Sequence, residues 1–192
     1  NKQHFLKLCN NIIEHDHDFN IWAYARIDTV KEEYLETLKK AGVNWLALGI
    51  ESGNKTVRKD VVKGKFTEVN ISDLVNKVKD AGINVIGNYI FGLPEDTVDT
   101  MQETLDMSMD LNCEFANFYS TMAYPGSKLY LEARKEGWEL PESYIGYSQH
   151  SYESKPLPTK HISSSEVLGF WDKAFNEYYK NDKYLSSIEE KF

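Results

Sequence analysis

The sequence predicts an α/β fold built on parallel strands, and three observations carry that expectation. Four short apolar runs recur, each closed by Gly, Pro or charged residues and followed by a helix-period segment, which is the alternation that crossover helices between parallel strands produce. The runs are nearly continuous in apolarity rather than alternating, as in strands covered on both faces. Lys39-Lys40-Ala41-Gly42-Val43-Asn44 is echoed 40 residues later by Lys79-Asp80-Ala81-Gly82-Ile83-Asn84, and each copy reads as a helix end, a glycine exit and a strand start.

In chain order, an amphipathic helix carrying Phe5, Leu8, Cys9, Ile12 and Ile13 comes first, with no strand before it. The first apolar run, Ile21-Trp22-Ala23-Tyr24-Ala25, leads to Thr29-Val30-Lys31-Glu32. That tetrad reads as a capping box, because a Thr hydroxyl and a Glu three residues on can each satisfy an orphan N–H. Val30, Tyr34, Leu35 and Leu38 make one helical stripe, and Gly42 supplies its left-handed exit. After the second run, Trp45-Leu46-Ala47-Leu48-Gly49-Ile50, the stripe Ile71, Leu74, Val75 and Val78 precedes Gly82. The third run is Val85-Ile86-Gly87-Asn88-Tyr89-Ile90-Phe91, followed by the stripe Val98, Met101, Leu105 and Met109. The fourth, Phe115-Ala116-Asn117-Phe118-Tyr119, leads to a shorter helix from near Ser127 with Leu129, Tyr130 and Ala133. Residues 139–162 hold three of the five prolines and read as an irregular connection. Ser163-Ser164-Ser165-Glu166 then caps a strong helix with Val167, Phe170, Trp171, Ala174 and Tyr178 on one face.

An open doubly wound sheet must reverse its winding somewhere, and no break marks a reversal. The expectation is therefore a partial TIM-type (β/α) barrel of parallel strands whose N-terminal part is missing, over residues 1–138. Residues 139–192 form the irregular connection and a C-terminal helical extension. The 192 residues fall short of the roughly 250 typical of a complete eight-unit barrel.

Composition narrows the function. The formal net charge of −8 gives no counterion-release gain on phosphates, so nucleic acid is not an expected partner. No apolar stretch reaches the roughly 20 residues of a membrane span and no secretory signal opens the chain. A soluble, cytoplasmic protein is expected. Cys9 and Cys113 are too far apart for a Cys-x-x-Cys metal site and read as reduced, buried fillers. His15-Asp16-His17-Asp18 has ligand chemistry but sits in a helix-to-strand connection and reads as a solvated loop. No metal site is expected within the chain.

In parallel α/β folds the ligand site lies at the carboxyl ends of the strands. The residues to interrogate are thus Arg26-Ile27-Asp28, Glu51-Ser52-Gly53, Gly92-Leu93-Pro94-Glu95-Asp96 and Tyr124-Pro125-Gly126-Ser127. Here the sequence resembles a known family. Trp22-Ala23-Tyr24-Ala25-Arg26-Ile27-Asp28, then Leu48-Gly49-Ile50-Glu51-Ser52-Gly53-Asn54, Val62-Lys63-Gly64, Ala81-Gly82-Ile83, Ile90-Phe91-Gly92-Leu93-Pro94-Glu95-Asp96-Thr97 and Tyr124-Pro125-Gly126-Ser127 look like the rear half of a radical S-adenosylmethionine enzyme. The likeness covers roughly residues 1–136, and the subgroup it is most similar to carries a cobalamin-binding domain. The family's Cys-x-x-x-Cys-x-x-Cys cluster loop is not in this sequence, and cluster ligation needs several converging thiolates.

The resemblance implies a fragment of an enzyme that cleaves S-adenosylmethionine reductively at a 4Fe-4S cluster to give a 5′-deoxyadenosyl radical. A cobalamin-linked methyl transfer or a cyclisation would follow on a small-molecule substrate. The cluster ligands and any cobalamin domain lie outside this chain, so the chain alone is expected to be inactive. Glu51 would accept from both ribose hydroxyls, or merely cap a helix; Ser52 would assist, or serve as a turn residue. Ile90 rather than Phe91 is expected inside the barrel, against adenine or as ordinary core. Gly92 would let the backbone approach a ligand or take positive φ. Arg26 would bind a carboxylate or pair with Asp28 or Glu51. Glu95 is expected in the first helical turn, and Tyr124 and Pro125 in a turn meeting the adenine edge. Asn88 stands where many relatives carry Gly.

Two other function classes compete. Glu51 and Glu95 follow successive strands, and paired carboxylates are what a barrel glycosidase uses. A degenerate barrel serving as an interaction module would use Trp171, Phe175, Tyr178 and Tyr179 as a docking face. An unpaired sheet edge makes a dimer through that edge an expectation.

Overall fold

A computed structural model describes residues 2–61 and 69–191, so Val62-Lys63-Gly64 lies outside the described residues. Strands β1 (Ile21–Arg26), β2 (Val43–Glu51), β3 (Asn84–Phe91) and β4 (Phe115–Ser120) form one sheet in sequence order, every neighbouring pair parallel. Helices α1 (Lys2–Glu14), α2 (Glu32–Lys40), α3 (Lys55–Val61), α4 (Ile71–Asp80) and α5 (Val98–Leu111) precede or link the strands. After β4 come α6 (Lys128–Lys135), α7 (Ser164–Tyr179) and α8 (Asp182–Lys191). Repeated parallel units with no change of winding direction are the partial barrel the sequence predicts. No helix among the described residues is long and apolar enough to cross a membrane.

Strand parity separates two faces. Leu46, Leu48 and Ile50 of β2, Val85, Tyr89 and Phe91 of β3, and Ala116 and Phe118 of β4 are buried against the helices. Leu35 and Leu38 of α2, Val75 and Val78 of α4, and Met101 and Leu105 of α5 complete that core. Phe91 stacks on Phe118 at 5.4 Å and meets Phe170 of α7 edge-on at 5.0 Å, each such side chain stabilising the fold by roughly 1.5–3 kcal/mol. The opposite, concave face carries Trp22, Tyr24 and Arg26 of β1, which are exposed, and in register with them Trp45, Ala47 and Gly49 of β2. Burial pushes the Tyr119 hydroxyl on β4 up in pKa.

Helix ends follow local chemistry with one correction. Ser163 and Glu166 form the expected capping box on α7; Ser163→Ala is expected to cost about 1 kcal/mol in urea denaturation. The box expected at Thr29–Glu32 does not form. Residues Ile27–Thr29 make a 3-10 turn that buries Ile27 completely, the Thr29 hydroxyl donates to the Arg26 carbonyl, and α2 starts after Lys31 with no side-chain cap. The core's demand for Ile27 outweighs the cap. Thr97 and Thr100 instead build a box on α5.

The outer edge of β4 is closed by side chains rather than by a strand. The Tyr179 hydroxyl accepts from Ala116 N–H at 3.1 Å and donates to Ala116 C=O at 2.8 Å, while the Trp171 indole N–H donates to Phe118 C=O at 2.6 Å. Tyr178 is buried and donates to the Cys113 carbonyl. Three of the four aromatics offered as a docking face are therefore spent on the protein's own sheet; of the four, only Phe175 is exposed.

Candidate functional site

Because the strands are parallel and adjacent, Arg26, Glu51, Gly92 and the Tyr124–Ser127 turn gather on one rim, at the strands' carboxyl ends. Glu51 is the most heavily shaped residue there. Ile50 is an extra residue against β3, a bulge between Gly49 and Glu51, and bulges re-aim side chains beside sites. Ser52 N–H bonds the Ile50 carbonyl at 2.9 Å while Glu51 holds φ +68°. That is the rare, strained form of γ-turn, in a region L-residues avoid. The turn folds the side chain back over the concave face, where a Cβ on Gly49 would meet Glu51 Oε1 at 2.7 Å. Burial pushes the Glu51 carboxyl up, and the charge of Arg26 pulls it part of the way back.

Arg26 is held by Asp28 through two parallel bonds, Nε to Oδ1 at 3.0 Å and Nη2 to Oδ2 at 2.8 Å. Of the pairings the sequence left open, the structure forms the one with Asp28, while Arg26 stays exposed beside Glu51. Asn88 and Asn117 share its register row: Asn117 Nδ2 donates to Asn88 Oδ1 at 3.0 Å, and Asn88 Nδ2 to the Leu48 carbonyl. A concave face with this row has polar donors and acceptors where a barrel core would be apolar.

The other expected site residues divide. Ile90 is half-buried and shares one depression with Tyr119, Tyr124, Leu129 and Gln149, whereas Phe91 is fully buried on the helix side. The choice of Ile90 as the inward residue agrees with that geometry. Tyr124 is exposed, and Pro125 and Gly126 (φ +86°) fill the central positions of a turn closed by Ser127 N–H on the Tyr124 carbonyl. Pro then Gly is the type II preference, and Ser127 caps α6 by accepting from Tyr130 N–H. Gly92 takes φ +78°, and its near neighbour is Val167 of α7, 2.7 Å from where a Cβ would stand; the close approach is to a helix. Ser52 is fully buried with its hydroxyl against Thr104 and Asn54 N–H, turned toward α5 rather than the concave face.

Glu95 corrects an expectation. It lies in the turn before α5, not in its first turn, and is ion-paired with Lys160 of the tail. Two buried charged residues near the rim, Asp96 and Arg58, were given no role from the sequence. Asp96 accepts from Leu93 N–H at 2.9 Å and from the Thr100 hydroxyl at 2.7 Å, bracing the Gly92–Thr97 loop. Burial nonetheless raises its carboxyl above the usual range. Arg58 of α3 donates to the Ser52 carbonyl at 2.9 Å, behind the Glu51 turn. The spacing of Asp96 and Thr100, four apart at a helix start, was the available signal for the first.

Cys9 is buried in α1, and Cys113 lies behind the sheet with its thiol pushed up to about 12 by burial. His15 and His17 stack on each other at 6.0 Å before β1, at the opposite end of the strands from the rim. Among the described residues no group of three or more His, Cys, Asp or Glu is placed to hold a metal ion. The two cysteines, each buried and far from the rim, do not make an iron-sulfur ligand set, whereas the rim offers one carboxylate at Glu51 beside the depression lined by Ile90 and Tyr124.

The fold is a partial parallel barrel, and its candidate site is the rim at the strand tips. Residues 5–108, more than half of the chain, match the family model described as the Radical SAM superfamily, and the chain belongs to that family. It is 25% identical over 185 residues to an uncharacterized methyltransferase of Pyrococcus horikoshii, covering 96% of this chain and 39% of that protein. Over 100 residues it is 35% identical to a putative methylthiotransferase of Methanocaldococcus jannaschii, covering 52% of this chain and 22% of that protein. An anaerobic magnesium-protoporphyrin IX monomethyl ester cyclase of Cereibacter sphaeroides is 24% identical over 182 residues, covering 93% of this chain and 28% of that protein. Among solved structures, the radical S-adenosylmethionine methyltransferase TsrM of Kitasatospora setae, with cobalamin and a 4Fe-4S cluster bound, superposes with a TM-score of 0.61 at 18% identity. The match covers 86% of this chain and 34% of that one. The chain thus spans between about a fifth and two fifths of the length of these relatives. Family membership displaces the glycosidase reading, and the Glu95–Lys160 ion pair gives it no support.

Proposed function

We propose that this chain is the adenosyl-binding, carboxyl-side part of a radical S-adenosylmethionine enzyme whose cluster cysteines are supplied by another segment. The single observation that carries this reading is Glu51, a carboxylate held at φ +68° by a bulge and folded over the concave face. Strain of that kind persists where surrounding structure enforces it, and it clusters at ligand sites. Here the carboxylate accepts from the two ribose hydroxyls, Ile90 and Tyr124 flank the adenine, and the Arg26–Asp28 fork presents a fixed guanidinium to a ligand carboxylate. When bound with the cluster, S-adenosylmethionine supplies the one-electron chemistry; this chain's residues orient it and exclude water. The relatives' names favour methyl transfer or cyclisation as the overall reaction, and the solved methyltransferase structure favours cobalamin as a second cofactor, bound outside this chain.

The test uses the cluster-bearing full-length protein, kept anaerobic and titrated calorimetrically with S-adenosylmethionine. One site per chain is expected. Product analysis under reducing conditions is expected to show 5′-deoxyadenosine, S-adenosylhomocysteine or both. A protein that neither binds nor consumes S-adenosylmethionine overturns the reading.

A further inference from the structure

The connection 139–162, which carries no cofactor motif, is bonded to two of the rim loops. Its backbone reaches the end of β4 where Leu157 N–H bonds the Thr121 carbonyl at 3.0 Å, and the loop after β3 where Lys160 N–H bonds the Pro94 carbonyl at 3.1 Å. The Thr159 hydroxyl donates to the Asp96 carbonyl at 2.8 Å, and Lys160 pairs with Glu95. One side chain of this strap does what a neighbouring strand would do. Gln149 Oε1 accepts from Ser120 N–H and from the Ser120 hydroxyl, both at 3.0 Å, and Gln149 Nε2 donates to the Ser120 carbonyl at 2.8 Å. Its primary amide thereby satisfies both backbone groups that the last residue of β4 turns away from β3. The same side chain lines the depression that holds Ile90, Tyr119 and Tyr124.

We propose that Gln149 is a positioning residue for the adenosyl ligand: its amide fixes the end of β4 and the tail strap to each other, and so sets the wall formed by Ile90, Tyr119 and Tyr124. This rests on the adenosyl-binding reading above. An amide is suited to the task because it offers acceptor and donor in the same spacing as a peptide unit. A leucine of similar volume offers neither and leaves Ser120 N–H and C=O without those partners. The edge of β4 supplies its own control. Tyr179 makes the same kind of double contact to Ala116, four residues before Ser120 and away from the rim.

The test compares wild type, Gln149→Leu, Gln149→Glu and Tyr179→Phe in the cluster-bearing full-length protein. Each is titrated with S-adenosylhomocysteine at a temperature where circular dichroism shows it folded. Gln149→Leu is expected to weaken binding about tenfold, equivalent to about 1.4 kcal/mol. Gln149→Glu, which keeps the acceptor and loses the donor, falls between it and wild type. Tyr179→Phe lowers thermal stability and leaves affinity unchanged. Affinity unaltered in Gln149→Leu, or lowered equally in Tyr179→Phe, overturns the positioning role while the adenosyl reading stands. Wild-type protein that does not bind removes the reading itself and the inference with it. Hydrogen exchange without ligand gives a second readout, in which Gln149→Leu is expected to speed exchange at Ser120, whose N–H donates to the Gln149 amide oxygen, and unchanged protection there also counts against the proposal.

Discussion

Gly53→Ala is expected to destabilise the fold by about 3 kcal/mol, at the upper end of what overpacking costs. A Cβ at Gly53 would stand 2.6 Å from the Glu103 carbonyl oxygen and 2.8 Å from Thr104 Cα. Those atoms are helix backbone of α5, which cannot swing aside as a side-chain tip can. The same contact carries two hydrogen bonds beside the Glu51 turn: Gly53 N–H donates to the Thr104 hydroxyl at 2.9 Å, and Asn54 Nδ2 donates to Glu103. Forcing α5 away therefore also loosens the turn that holds Glu51. Gly169→Ala is the matched comparison, since Gly169 lies in α7 with nothing within 4 Å of an added Cβ. It is expected to stabilise by about 0.5–1 kcal/mol. Urea midpoints at unchanged slope measure both; a Gly53→Ala loss no larger than about 0.5 kcal/mol, within the range of ordinary surface changes, would mean that β2 and α5 are less tightly clasped than described.

What the sequence disclosed and what it withheld divide along the range of the interactions. Strand and helix positions were legible because burial on both faces leaves continuous apolar runs and because stripes such as Ile71, Leu74, Val75 and Val78 keep helical period. The rim followed from topology, since parallel strands put Glu51, Gly92 and Pro125 at one end. Sequence could not show that Ile27 would draw Thr29 out of its capping box, because that choice depends on a pocket made by distant residues. Helix α3 and the separate α8 were also unread: the first is only seven residues, and the second is set off by Asn181, whose side chain accepts from Lys183 and Tyr184 N–H. Ser52 looked like a rim hydroxyl because spacing places a residue on a strand end without saying which way a bulge will turn its neighbour. The tail was illegible as a brace for the same reason: Gln149, Trp171 and Tyr179 meet β4 from 29, 53 and 63 residues away.

Glu51 joins these levels, and two substitutions there separate its cost from its use. Burial raises the Glu51 carboxyl above its ordinary range, so in the folded protein ionisation is unfavourable relative to the unfolded chain. A raised carboxylate contributes its stability fully below the unfolded pKa, about 4.3, and loses it as pH rises through the folded value. Glu51→Gln keeps the shape and has no such loss. Its stability curve is expected to meet wild type at acid pH and to lie above it at neutral pH. Glu51→Gly additionally releases the φ +68° strain, worth about 1 kcal/mol. Both variants remove the anionic acceptor, and losing charge-assisted bonds to two hydroxyls is expected to weaken S-adenosylmethionine binding about 100-fold. A protein made more stable and less able to bind by the same change is the signature of a residue retained for its ligand. If Glu51→Gln instead lowers stability at neutral pH and leaves affinity intact, the carboxylate is a structural cap on the turn, and the adenosyl site must be sought elsewhere on the rim.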